Sequence, residues 1–132
     1  GIQRERAGKP AGLRTHMLVS SGAAVFLIAC GEFGMNADSI SRVIQGLVTG
    51  IGFLGAGAIL KLYDRRAVEG LTTAAGIWMT AALGVAVGLG RFGLALVATL
   101  LAWMTLSLVR QLEQILNRGT RKSEEDTISA ED

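Results

Sequence analysis

The sequence predicts an all-α fold: a polytopic helical bundle embedded in a membrane, with four transmembrane spans. Three observations predict it. Half of the 132 residues are hydrophobic and 18% are charged, against about 25% charged in a typical soluble domain. The mean hydropathy is +0.43. The 13 Lys and Arg residues lie outside the apolar runs or at their edges. Finally, the residues between Arg42 and Lys61 include no acid or base. As a helix these eighteen residues span about 27 Å, close to the hydrocarbon thickness of a bilayer.

Residues 1–15 carry Arg4, Arg6, Lys9 and Arg14 against Glu5, with Pro10 between Gly8 and Gly12. This composition predicts a basic cytoplasmic loop. The first span is expected at 16–31. A loop follows, in which Asp38 or Ser39 is expected to cap the second span, at 43–60. Residues 61–70 form a charged connector, where Asp64 and Glu69 flank Arg65 and Arg66 as a solvated ion-pair cluster. The third span is expected at 71–90 and the fourth at 92–109, with Arg91 in the turn between them.

The transmembrane domain thus covers 16–110. Beyond it, Leu108, Leu112, Ile115 and Leu116 keep a helical spacing among polar residues, which predicts an amphipathic cytoplasmic extension. Residues 111–132 end in a polar, acidic tail expected to be disordered.

The basic residues provide an independent test of this layout. With four spans both ends lie on one side, and that side holds 11 of the 13 Lys and Arg; Arg42 and Arg91 are on the other. The positive-inside rule then makes both ends cytoplasmic.

Glycines dominate the second span, at 46, 50, 52, 55 and 57. Residues 50–55, GIGFLG, match the spacing of a dinucleotide fingerprint. That motif needs a strand before it and an acid about 20 residues later, whereas here it lies inside an apolar run and the next acid is Asp64. Gly46 and Gly50 instead have the GxxxG spacing that lets membrane helices approach closely. Gly52, Gly55 and Gly57 add a second expectation, an irregular or broken helix lining a pathway.

The third span repeats the pattern, with Gly76, Thr80, Gly84 and Gly88 on one stripe. Spans two and three are therefore expected to cross closely, or to offer the same groove to a partner protein's helix. Thr72 and Thr73, after Gly70 and Leu71, are expected either to cap the third span through their hydroxyls or to face a ligand. His16 is the single histidine, at the cytoplasmic entrance of span one, and is either structural or sensitive to pH and headgroups.

No acid or base lies near the middle of any span, where ion pumps usually place one. No nucleophile or acid–base set is visible, so no catalytic residue is assigned and no enzyme activity or cofactor is expected. Metal ligands are left unassigned. Basic and aromatic residues are not interleaved, which argues against nucleic-acid binding. Cys30 is the single cysteine, so no internal disulfide is possible.

Three blocks carry a resemblance: KPAGLRTHMLV at 9–19, GLVTGIGFLGAGAIL at 46–60 and GLTTAAGIWMTAALGVAVGLG at 70–90. In this order and spacing the chain resembles the membrane domain of the MgtC/SapB family, over about residues 1–110. The resemblance makes Arg14, Thr15, His16, Gly70, Leu71, Thr72, Thr73 and Trp78 family-motif candidates. It implies a multi-pass protein of the bacterial inner, or plasma, membrane with a cytoplasmic C terminus.

It also implies five spans in the family, the first of them missing here. The chain looks like the short SapB-type branch, without a folded cytoplasmic C-terminal domain. Gln3 stands where members usually have an acid, with Glu5 two residues on.

The family is linked to growth in low magnesium and to virulence. The function expected from the resemblance is a non-enzymatic regulator that touches other membrane proteins, the F-type ATP synthase among them, through helix–helix contacts. Its partners would be the lipid bilayer and other membrane proteins or further copies of itself. The alternative is a transporter or channel for Mg²⁺ or another small ion.

Overall fold

The computed structural model describes residues 11–62 and 67–108, with only the backbone given at 60–62 and 67–69. It contains helices α1 (Leu13–Glu32) and α2 (Ala37–Gly57), short strands β1 (Leu60–Leu62) and β2 (Ala67–Glu69), then helices α3 (Leu71–Gly88) and α4 (Phe92–Leu108). The chain divides into two compact units, Gly1–Leu96 and Val97–Asp132. The packing described below is that of the first.

Helices α1, α2 and α3 are each long and apolar enough to cross a membrane; α4 is a shorter apolar helix over its described residues. At 1.5 Å per residue the 20 residues of α1 reach about 30 Å. Large apolar side chains face outward on all of them: Leu18 is 74% exposed, Phe53 81% and Trp103 69%. Apolar surface on this scale is stable only against lipid or another apolar surface. The few buried side chains are small or aliphatic, such as Ala23, Leu27, Ile77 and Ala81.

The helix ends follow from local chemistry. Asn36 caps α2, its Oδ1 accepting a hydrogen bond from the Ser39 amide at 2.9 Å. Asp38, expected as the cap, instead lies in the first turn, where its charge complements the helix dipole. At the end of α3, Gly90 adopts φ +71°. Its amide donates to Val87 O and that of Arg91 donates to Ala86 O, both at 2.9 Å. This is a Schellman cap, which needs a left-handed residue at that point. The same bond pattern closes α1 through Gly34 and Met35.

Several expected boundaries move. Leu13, Arg14 and Thr15 are helical, so the N-terminal loop ends before residue 15. The second helix starts at 37 and ends at 57, displaced from 43–60 because the Asn36 cap starts it early and the backbone turns extended after Ala58. It is unbroken through the glycines at 50–57, so the broken-helix expectation fails. A helix needs only its own backbone hydrogen bonds in lipid, and glycine supplies those.

The charged connector contains structure that composition did not foretell. Strands β1 and β2 pair antiparallel, with Leu60 opposite Glu69, Lys61 opposite Val68 and Leu62 opposite Ala67. The proposed ion-pair cluster around Asp64, Arg65 and Arg66 lies outside the described residues, as do residues 1–10 and the stretch beyond Leu108.

Candidate helix-contact site

The most extensive helix contact in the first unit is a seam between α1 and α3. His16 Nδ1 lies 2.8 Å from Thr80 Oγ1, 64 residues away in sequence. The Thr80 hydroxyl donates to Gly76 O, one turn back, at 2.8 Å. A hydroxyl has one proton. Having given it to Gly76, Thr80 accepts from His16, which places a proton on Nδ1.

One and two turns further along, the same separation recurs. A Cβ built on Gly84 would run into the Ser20 carbonyl oxygen and come within 2.8 Å of Ala23 Cβ. One on Gly88 would come within 2.7 Å of both Ala24 O and Leu27 Cβ. The pairs 16/80, 20/84 and 24/88 climb together, so α1 and α3 run parallel. Each presents every fourth residue to the other, as membrane helices do when small residues let their backbones meet.

The glycines of α3 therefore close on α1, and the expected crossing with α2 accounts for only part of the packing. Ser20, Ala23 and Ala24 were not singled out from the sequence. The signal was there, in the run Ser20-Ser21-Gly22-Ala23-Ala24, which is the small-residue counterpart of the α3 stripe.

Helix α2 joins the bundle through its other face. A Cβ on Gly55 would sit 3.6 Å from Ala74 Cβ, an ordinary contact. Ile51 and Ala58 pack with Ile77 and Ala81, against Val19 and Ala11. The order reverses along α2, since Gly55 meets Ala74 early in α3, so α2 runs antiparallel to α3. The bundle is thus up-down-up over its first three helices.

Gly46, Gly50, Gly52 and Gly57 behave differently. A Cβ on any of them would meet nothing within 4 Å. Gly46 and Gly50 line a shallow apolar groove with Phe26, Val43, Leu47 and Ile51.

Gly70 holds the start of α3. It is the N-cap at φ +97°, so the cap position falls on Gly70 and not on Thr72 or Thr73. A Cβ on Gly70 would overlap the Ala58 carbonyl oxygen. Glycine is needed twice here, for the left-handed backbone and for the approach of the two chain segments. Thr73 is 1% exposed, its side chain turned into the bundle. Leu71, Thr72 and Trp78 are exposed, as are Arg14 and Thr15, and His16 is half-buried. The motif candidates therefore do not form one cluster: His16 and Thr73 face inward, Gly70 abuts Ala58, and Arg14, Thr15, Leu71, Thr72 and Trp78 face outward.

Ionisable side chains keep to the helix ends. Arg14, His16, Asp38 and Arg42 lie in the first six residues of α1 or α2, Glu32 ends α1, and Arg91 precedes α4. Among the described residues no three His, Cys, Asp or Glu side chains gather as metal ligands.

Comparison with known proteins gives a consistent family. The MgtC family model matches residues 1–115. Protein SrpB of Synechococcus elongatus is 44% identical over 126 residues, covering 87% of this chain and 69% of SrpB. The "Putative magnesium transporter YhiD" of Escherichia coli K12 is 39% identical over 128 residues, covering 90% of this chain and 58% of YhiD. Protein MgtC of Salmonella typhimurium is 42% identical over 118 residues, covering 89% of this chain and 49% of MgtC. The chain thus spans from about half to about two thirds of the length of these relatives. No solved structure matches it. With three helices of membrane-crossing length and a family match over most of its sequence, the chain is a helical membrane protein that belongs to the MgtC family.

Proposed function

We propose that this is a non-enzymatic protein of the bacterial inner membrane, with its C terminus in the cytoplasm, that acts by touching other membrane proteins and serves adaptation to low magnesium. One observation carries the reading. The ionisable side chains of the described helices all lie near helix ends, and the one segment suspected of breaking into a pathway is a continuous helix. Mg²⁺ is held by oxygen ligands, usually carboxylates, and gives up its water reluctantly. A membrane site for it calls for acids inside the bundle, and the described helices carry none there. What they offer is apolar surface, exposed along α1 and α4.

The magnesium wording in the name of the Escherichia coli relative supports the second reading, a magnesium transporter. Both readings place the basic residues at 4–14 and 61–66 on the cytoplasmic side, where anionic lipid would hold them.

Contact with other proteins is tested by placing a photoreactive amino acid at Val25 on α1 and at Leu101 on α4, both exposed, in growing cells. Mass spectrometry of the adducts is expected to return the same few membrane proteins in low magnesium, the F-type ATP synthase being the first candidate. Adducts to lipid alone at both positions would contradict the proposal.

A further inference from the structure

Helix α2 carries a polar stripe on the side turned away from the bundle, beside the exposed Val48 and Phe53. Ile51, Gly55 and Ala58 are buried against the bundle, while Asp38, Arg42, Gln45 and Thr49 are all exposed. Spacings of four, three and four place these four on one outward stripe. Polar groups within a membrane ordinarily turn toward protein. Thr49 meets its own need, its hydroxyl donating to Gln45 O at 2.9 Å. The Gln45 side-chain amide makes no hydrogen bond to the described residues. It stands about 12 Å along α2, and an amide left unpaired in lipid is costly.

We propose that this face of α2 is an interface with a second copy of the chain, two α2 helices lying side by side about a two-fold axis. Two copies inserted in one topology bring their α2 helices together in parallel, so a residue near the axis meets its own counterpart. An amide carries both donor and acceptor, so a pair of Gln45 side chains satisfies itself, where a partner of different sequence would need a matching group at that depth. Asp38 and Arg42 are one turn apart and form no ion pair among the described residues. In a parallel pair the Arg42 of each copy reaches toward the Asp38 of the other, opposite charge to opposite charge. Gly46, at the edge of this stripe, has open space where a Cβ would sit and lets the helix axes approach. This inference goes beyond the proposed function and holds equally for a regulator or a transporter.

The test uses the full chain in native membranes, with Cys30→Ala removing the natural thiol and two copies carrying different tags. Thr49→Cys and Phe53→Cys place a thiol on the proposed interface; Val25→Cys places one on exposed α1. Mild oxidation is expected to give dimers bearing both tags at positions 49 and 53, well above the yield at 25. Adding Gln45→Leu is expected to lower the dimer yield roughly three- to thirty-fold, the range of an interhelical side-chain hydrogen bond in lipid. Gly46→Leu, whose Cβ meets nothing within 4 Å among the described residues, is expected to abolish the dimer while the protein still inserts. Equal yields at all three positions, adducts only with other proteins, or dimers indifferent to both Gln45→Leu and Gly46→Leu would overturn the proposal.

Discussion

His16 and Thr80 join α1 to α3 through a hydrogen bond of 2.8 Å between Nδ1 and Oγ1. The Thr80 hydroxyl donates in turn to Gly76 O, so the two bonds run in one direction and lock the register of two parallel helices. The glycines at 84 and 88 then close the same seam. A polar bond sets the alignment at one end and backbone proximity holds it at the other.

The hydrogen bond is measurable as a coupling energy. Thr80→Val and His16→Leu are each expected to destabilise the protein by about 1 kcal/mol, with a coupling between them of about 0.6–2 kcal/mol. A double-mutant cycle in reversible detergent unfolding measures it. A coupling indistinguishable from zero would mean that the bond does not stabilise the seam.

The two glycine groups should respond in opposite ways. Gly84→Ala puts a methyl group against the Ser20 backbone, which has no flexible end to yield, and is expected to cost about 1–3 kcal/mol, as other overpacked sites do. Gly50→Ala meets nothing and should leave stability unchanged or raise it by up to about 1 kcal/mol through the helix preference of alanine. Thermal stability by fluorescence-detected gel filtration compares them, and a Gly84→Ala protein as stable as the parent would refute the seam.

Gly70→Ala faces both a left-handed backbone and the Ala58 carbonyl. The strain alone costs about 1–2 kcal/mol, and the overlap forces α3 away from the end of α2. Loss of folded protein at normal expression temperature is the expected outcome. Thr72→Ala, at an exposed position that does not cap the helix, should fold normally in the same assay.

Much of this was legible in the sequence because lipid imposes simple requirements. Apolar length pointed to the four helices, three of which are long enough to cross a membrane, since backbone polar groups have no water to bond with there. Glycine at every fourth position pointed to close packing, which Gly84 and Gly88 of α3 make and Gly46 and Gly50 of α2 do not. What pattern alone did not assign was the partner of each stripe. The α3 stripe meets α1 because Ser20 and Ala24 are small enough to receive it, and that match appears only when two segments 64 residues apart are laid side by side. Composition favoured a hydroxyl cap at Thr72 or Thr73, yet backbone geometry at Gly70 decided the start of α3. Around residue 38, three side chains had capping chemistry, and the choice of Asn36 depended on where the chain leaves the Gly34 turn.

Asn36 offers a quantitative check on that last point. Asn36→Ala removes the bond to the Ser39 amide and should cost about 1 kcal/mol, while Asn36→Asp keeps an acceptor and should cost little. Equilibrium unfolding of the two variants decides it; equal losses would show that the cap does not stabilise α2.

The central claim is that the bundle works by contact and does not conduct magnesium. It is tested most directly by reconstituting the protein in liposomes with its orientation verified and following Mg²⁺ entry with an internal fluorescent indicator. The account predicts entry equal to that of empty liposomes. Saturable Mg²⁺ entry would contradict it, the more so if Gly55 or Thr72 substitutions abolished the flux.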